Sequence, residues 1–311
     1  MVDPAARQAW LESVIQELER RFGSGVVYRL ANARPKLGAR SVSTGSLGLD
    51  WVTGAGGIPR GRVTTLDGPD SSGKTTISYH VLANAQVDGG LAAFLDAEHS
   101  ADPAELRACG VDLSDLILGL PMSAVEALEM AEILARSAAL DAIVLNALPR
   151  PYPSWLLAEA ARRLLGALVG TPTAFLFVGL AGRGNAQPLA FASLALQMRP
   201  LRLILQPGGA IGGLRVGVEV TKNKLARPGG MVELDVLEGE GICRPAELFD
   251  LGVAHGLIEK LSLGPTYAGQ VLGRGRAQAL NSLAREPDLA ARLADDIRRV
   301  FAGGASLTAT V

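Results

Sequence analysis

Gly68-Pro69-Asp70-Ser71-Ser72-Gly73-Lys74-Thr75, followed by Thr76, decides how the rest of this chain is read. It has the G-x-x-x-x-G-K-S/T spacing of a loop that wraps the phosphates of a nucleotide. The glycines let the backbone curl until successive N–H groups point inward. Lys74 brings a positive charge to the β- and γ-phosphate oxygens, and the Thr75 hydroxyl suits a Mg²⁺ ligand. The flanks agree with this reading. Arg62-Val63-Thr64-Thr65-Leu66-Asp67 is rich in β-branched residues and reads as a strand, and residues 75–86 read as a helix closed by Gly89-Gly90. A helix N-terminus beside the loop adds partial positive charge. The stretch therefore predicts ATP binding, with Gly68 to Thr76 as the phosphate cradle.

Composition bounds what surrounds that cradle. A chain of 311 residues holds one large α/β domain with smaller appendages at its ends. A hydrophobic share of 48% with 20% charged residues describes a globular core, not a disordered tail. The net charge of −1 offers no bulk attraction to nucleic acid or membrane, so any DNA contact must come from a local basic surface. Cys109 and Cys243 make no disulfide framework and suit a reducing compartment. No apolar run reaches about 18 residues and no signal-peptide pattern opens the chain, which predicts a soluble cytoplasmic protein. Only five of the 30 basic residues are lysine: Lys36, Lys74, Lys222, Lys224 and Lys260. In a chain that uses Arg by default, each Lys is a candidate for a place that needs a compact ammonium. Lys74 fits that description, and the close pair Lys222 and Lys224 stands out for the same reason.

In chain order, residues 5–22 have Trp10, Val14, Ile15, Leu18 and Phe22 at helical spacing, and Val26 to Leu30 reads as a short strand. This pair is either a packed cap or an arm that docks on a neighbouring subunit; the residues leave both open. A polar linker follows over 31–40. From Val42 onward, strands at 91–96, 140–146 and 173–178 alternate with helices at 123–138 (apolar at Val125, Leu128, Ile133 and Leu134) and 154–169. That alternation predicts a parallel sheet with helices on both faces. Strands without helices at 201–206, 214–221 and 231–236 predict an antiparallel extension, and 245–302 reads as a mostly helical module around a glycine-rich Gly264 to Gly275.

Taken together, the motifs resemble the RecA recombinase family over nearly the whole chain. The matching stretches are Phe22-Gly23-Ser24-Gly25, Ser43-Thr44-Gly45-Ser46-Leu47, Gly54-Ala55-Gly56-Gly57-Ile58-Pro59, the phosphate loop, Asp96-Ala97-Glu98-His99 and Asp102-Pro103. They continue with Lys222-Asn223-Lys224, Gly239-Glu240-Gly241-Ile242, Asp250-Leu251-Gly252-Val253 and Leu257-Ile258-Glu259-Lys260. The resemblance implies a P-loop NTPase α/β core at 41–244, an N-terminal helix–strand oligomerisation arm and linker at 1–40, and a C-terminal module at 245–311. It implies ATP and Mg²⁺ as cofactors, single-stranded DNA as partner, filament assembly through the arm, and a place in recombination, DNA repair and the SOS response. Glu98 matches the carboxylate that activates the attacking water. Lys222 and Lys224 match a pair that reaches the γ-phosphate of the adjacent subunit, and Asp102 matches a residue near the adenine.

The departures lie in the working parts. The strand Ala142-Ile143-Val144-Leu145 ends in Asn146 where the family has an Asp in the Mg²⁺ shell; Asn can bond a metal-bound water but carries no charge. Leu180 replaces a γ-phosphate-sensing Gln, and Glu105 replaces a tyrosine that stacks on adenine. The two DNA-binding loops are shortened to 147–153 and 181–188. Arg150 and Tyr152 in the first, Trp155 just after it, and Arg183 in the second are candidates for stacking and pairing with single-stranded nucleic acid. The competing expectation for the first loop is a rigid Pro-rich turn with Trp155 in the core. The sequence thus predicts a divergent RecA-like protein that binds ATP and self-assembles with weakened hydrolysis. The alternative is an ATP-gated scaffold that works with a true recombinase.

Overall fold

Residues 3–23, 27, 41–148, 154–179, 191–206 and 208–304 are described by a computed structural model, and the chain divides into two units, residues 1–38 and 39–311. The first unit holds α1 (Pro4–Phe22). Asp3 caps it by accepting from Ala5 N at 3.2 Å, Pro4 occupies the first turn, and Gly23 ends it with φ 105°. None of its residues is buried, and Trp10, Leu11 and Phe22 are exposed. The strand expected over 26–30 lies, Val27 apart, outside the described residues, as does the whole of the linker at 31–40.

The second unit opens with β1 (Ser41–Val42), α2 (Leu47–Val52) and β2 (Ile58–Pro59). Then β3 (Arg62–Asp67), α3 (Lys74–Gln86), β4 (Ala92–Asp96), α4 (Pro103–Ala108), β5 (Leu116–Gly119), α5 (Ala124–Ser137), β6 (Ala142–Asn146), α6 (Ser154–Leu168) and β7 (Ala174–Val178) alternate. Next come β8 (Leu194–Leu205), β9 (Ile211–Asn223), β10 (Met231–Leu237) and β11 (Gly241–Ile242). The order in the main sheet is β11-β10-β9-β8-β3-β7-β6-β4-β5. Its neighbours from β8 to β5 run parallel, and β9 to β11 extend it antiparallel. Successive side chains feed opposite faces. Leu66, Phe94, Val144 and Leu176 pack with Ile77 and Leu82 of α3, whereas Val63, Ile143, Leu145 and Phe175 pack with Leu128 of α5 and Leu164 of α6. Strands covered on both faces have no polar side to show, which is why β4 and β6 read as unbroken apolar runs.

Two local expectations need correction. The helix at 124–137 buries Ala124, Ala127, Leu128, Ala131 and Ala135, while Val125 and Ile133 are exposed. Close packing against the sheet and α6 admits small side chains, so Val125 and Ile133 mark the wrong face, whereas Leu128 and Leu134 mark the right one. The strand expected at 201 begins at Leu194, because its first residues pair with Thr64 to Asp67 of β3 before it turns to β9 alone. The C-terminal segment is mostly helical, as expected, with a small sheet at its glycine-rich stretch. After α7 (Arg244–Ala254), β12 (Ile258–Leu261), β13 (Gly264–Tyr267) and β14 (Gln270–Val271) form a small antiparallel sheet, and α8 (Arg276–Arg285) and α9 (Pro287–Ala302) follow. Arg215 of β9 ties this segment to the main sheet through Asp235 (3.0 Å) and Asp250 (2.8 Å), and Arg276 bonds the same two carboxylates at 2.9 and 3.0 Å. Phe301 stacks on Trp51 with ring centres 3.9 Å apart.

Candidate nucleotide-binding site

The loop leaves β3 at Asp67 and enters α3 at Lys74. Gly73 takes the left-handed conformation at φ 84°, which turns the chain into the helix without a Cβ penalty. Gly68 needs its missing side chain for a different reason: a Cβ there would sit 2.9 Å from Met198 Cβ, Met198 O and Ser72 Oγ. Lys74 Nζ donates to Gly68 O at 3.1 Å and Pro69 O at 2.6 Å, so the ammonium lies over the loop. Ser72 Oγ is buried with no hydrogen-bond partner. A loop with a buried hydroxyl unbonded, a cation bonding its own carbonyls and a helix N-terminus at its end fits a polyphosphate.

Above the loop lies a cavity of about 620 Å³. Ser71 to Thr76 form its floor; Ser100, Glu105 and Cys109 line one wall, and Leu214, Val236 and Glu238 to Gly241 the other. Burial, with Glu105 adding, pushes the Cys109 thiol up to about 11, so it stands there as a neutral group. Asp102 caps α4 by accepting from Ala104 N at 2.7 Å and is not among the residues that line the cavity.

His80 is a link beside the site that the sequence did not disclose. It lies on α3, and its Nε2 accepts from Ile242 N at 2.9 Å. Gly241 (φ 84°) passes so close that a Cβ would lie 2.2 Å from that nitrogen. Phosphate-loop helix and far cavity wall are thus joined by one imidazole, whose pKa burial lowers below its ordinary value. The only sequence signal was a glycine-rich turn, Gly239-Glu240-Gly241, with no obvious reason for its glycines.

Glu98 and Asn146 come together beside the sheet end. Asp96 and Asn146 are paired across β4 and β6. Asn146 Nδ2 lies 3.3 Å from Asp96 Oδ1, 3.4 Å from Glu98 Oε2 and 3.3 Å from Ser100 Oγ. Asp96 is buried and also accepts from Ala101 N at 2.7 Å. Among the described residues no group of three or more His, Cys, Asp or Glu is placed to hold a metal ion.

Lys222 and Lys224 lie at the end of β9, where Lys222 pairs with Ala195, and neither lines the cavity of its own chain. Lys222 has its pKa lowered, first by burial and then by Lys224. Asn223 between them fixes the turn, donating to Thr53 O at 2.8 Å and accepting from Leu225 N and Ala226 N. Arg150, Tyr152, Leu180 and Arg183 lie outside the described residues. Trp155 is 68% exposed at the start of α6, which overturns its expected place in the core.

Residues 9–155 match the family model described as the RecA N-terminal domain. The chain is 36% identical to Protein RecA of Leifsonia xyli over 96% of its own length and 91% of the relative's. It belongs to the RecA family. RecA proteins of Chlorobium chlorochromatii (34% identity; 96% of this chain, 93% of the relative) and Streptomyces venezuelae (37%; 94% and 84%) align over similarly long stretches. The matches run through the lysine pair and the C-terminal helices, so the likeness to RecA is one of whole chains and not of the phosphate loop alone.

Proposed function

We propose that this RecA-family chain is an ATP-binding, self-assembling protein of cytoplasmic DNA recombination and repair, with slow hydrolysis. The observation that carries the reading is the Lys74-covered phosphate loop at the foot of a cavity large enough for a nucleotide. Gly68 to Thr76 bind the triphosphate and Glu105 lines the wall beside it; Asp102, which the resemblance puts near the adenine, would act from outside that lining. Glu98 orients a water for in-line attack on the γ-phosphate and takes its proton, as the oxygen–phosphorus bond to the leaving ADP breaks. Thr75, with Asn146 through a water, would hold Mg²⁺, which supplies neutralising charge to the phosphates. Lys222 and Lys224 stabilise charge on the γ-phosphate of the next copy; their absence from their own chain's cavity supports that division of labour.

Residues 1–40 act as the assembly arm, 41–244 as the ATP-binding core and 245–311 as the C-terminal module. Arg150, Tyr152 and Arg183 are the candidate contacts to single-stranded DNA. The test is ATP turnover with and without single-stranded DNA, beside a DNA titration across salt concentrations, since phosphate contacts give that titration its slope. We expect slow turnover that rises several-fold with DNA.

A second reading, an ATP-gated scaffold that assembles with an intact recombinase, is favoured by one observation: a neutral Asn146 in the place of a carboxylate. ATP binding without DNA-stimulated turnover would leave that reading in place of the first.

A further inference from the structure

We propose that Asn146 is a positioning residue that substitutes for a bound cation, holding the carboxylates of Asp96 and Glu98 together so that Glu98 is oriented before any metal arrives. This rests on the reading of Glu98 as the residue that activates water. Asn146 is well rooted: it is buried, it ends β6 level with Asp96, and its carbonyl accepts from Ala97 N at 3.2 Å. Glu98, by contrast, is exposed on the turn that follows β4. A long side chain in that position samples several rotamers unless something anchors its head.

The anchor is the Asn146 amide. Ionised carboxylates only accept, so the amide nitrogen and not its oxygen must face Asp96 and Glu98. Its two hydrogens serve three oxygens, at 3.3 Å (Asp96), 3.4 Å (Glu98) and 3.3 Å (Ser100). The carboxylates claim them, because a hydrogen bond to a charged acceptor is stronger than one to a hydroxyl. Ser100 Oγ in turn donates to Asp96 Oδ1 at 3.4 Å. Two carboxylates brought to one place repel each other unless a proton, a cation or donors intervene. Here the intervening groups are neutral N–H donors that never dissociate. A carboxylate at 146 would reverse the arrangement, adding a third negative charge and making the cluster depend on a divalent cation.

The test uses the full chain as wild type, Asn146→Asp and Asn146→Ala, melted without nucleotide in EDTA and then with Mg²⁺ or Mn²⁺. Mn²⁺ uptake is read by electron paramagnetic resonance. The wild type should melt at one temperature in both conditions. Asn146→Asp should melt about 2–4 °C lower in EDTA and recover when Mn²⁺ binds. Asn146→Ala should ignore the cation, and its kcat should fall on the order of tenfold, a larger change than in its ATP affinity, because Glu98 is no longer held. An Asn146→Asp protein that melts like wild type in EDTA and takes up no Mn²⁺ overturns the proposal. So does an Asn146→Ala protein with unchanged kcat, which also decides the matter if the aspartate variant does not fold. If the wild type binds ATP but never hydrolyses it, the hydrolytic reading fails, and the nucleotide-free melting comparison still decides this inference.

Discussion

Two residues of the phosphate loop, six positions apart, do opposite kinds of work. Gly68 is structural: its missing Cβ leaves room for Met198 of β8, whose Cβ and carbonyl oxygen cannot rotate away from an intruding methyl. Gly68→Ala should cost about 1–3 kcal/mol through overpacking and lower the urea midpoint together with ATP affinity. An alanine variant with an unchanged midpoint would mean that the loop moves freely away from β8. Lys74 is the reverse case. In the free protein its ammonium bonds Gly68 O and Pro69 O, both replaceable by water. Lys74→Ala should leave the midpoint near wild type while ATP binding weakens about 10–100-fold, the worth of a charge-assisted bond. The motif spacing discloses both residues, since glycine and lysine types at fixed intervals are what a phosphate cradle needs. It does not disclose Met198, because which distant strand closes on a loop is settled by sheet order.

At the scale of elements, the joint between α3 and β11 has a pH dependence whose sign is fixed by its geometry. His80 Nε2 accepts from Ile242 N, and burial lowers its pKa from the ordinary 6.5. The folded protein therefore resists protonation more than the unfolded chain does. The joint contributes fully above about 6.5, and its contribution falls as pH drops below that value toward the lower folded pKa. His255, also lowered by burial, acts in the same direction. Asp50, pushed up to about 6 by burial, acts in the opposite one, gaining stability as pH falls from that value toward its ordinary 3.8. The comparison that isolates His80 is His80→Gln, which keeps an acceptor but does not titrate. Between pH 7.5 and 5 the variant should lose less stability than wild type in urea titrations, and parallel curves would remove His80 from the account. None of this was legible beforehand, because the imidazole's partner is a backbone N–H far along the chain. The strands and helices themselves were largely legible, since apolar runs and periodicity reflect burial directly. Where the reading failed, as on α5, it weighed size where the packing selected smallness: Ala127 and Ala131 are buried and Ile133 is not.

At the scale of the whole molecule the two units differ in what holds them. Residues 39–311 have apolar layers on both faces of the sheet, and a cluster in which buried Arg215 and half-buried Arg276 share Asp235 and Asp250. Such a cluster specifies how the C-terminal segment seats on the sheet more than it adds net stability, since desolvation offsets much of the attraction. Among the described residues of 1–38 nothing comparable is found: α1 buries no residue, and Trp10 is 68% exposed. A helix in water draws most of its stability from packing an apolar face, so a helix that shows Trp10, Leu11 and Phe22 to solvent is built to be covered. On the proposed reading the cover is a second copy of the chain. Sedimentation velocity should then show association that grows with concentration and with ATP. Removal of residues 1–38 should leave a monomer that still binds ATP, because every described residue of the phosphate loop and cavity belongs to the other unit. Trp10→Glu should weaken association without changing the melting of the core, since it places a charge where an apolar contact is expected and touches nothing buried. If the truncated and full chains sediment alike, the helix is not the assembly element; if both are monomers with ATP bound, self-assembly itself is refuted while ATP binding stands.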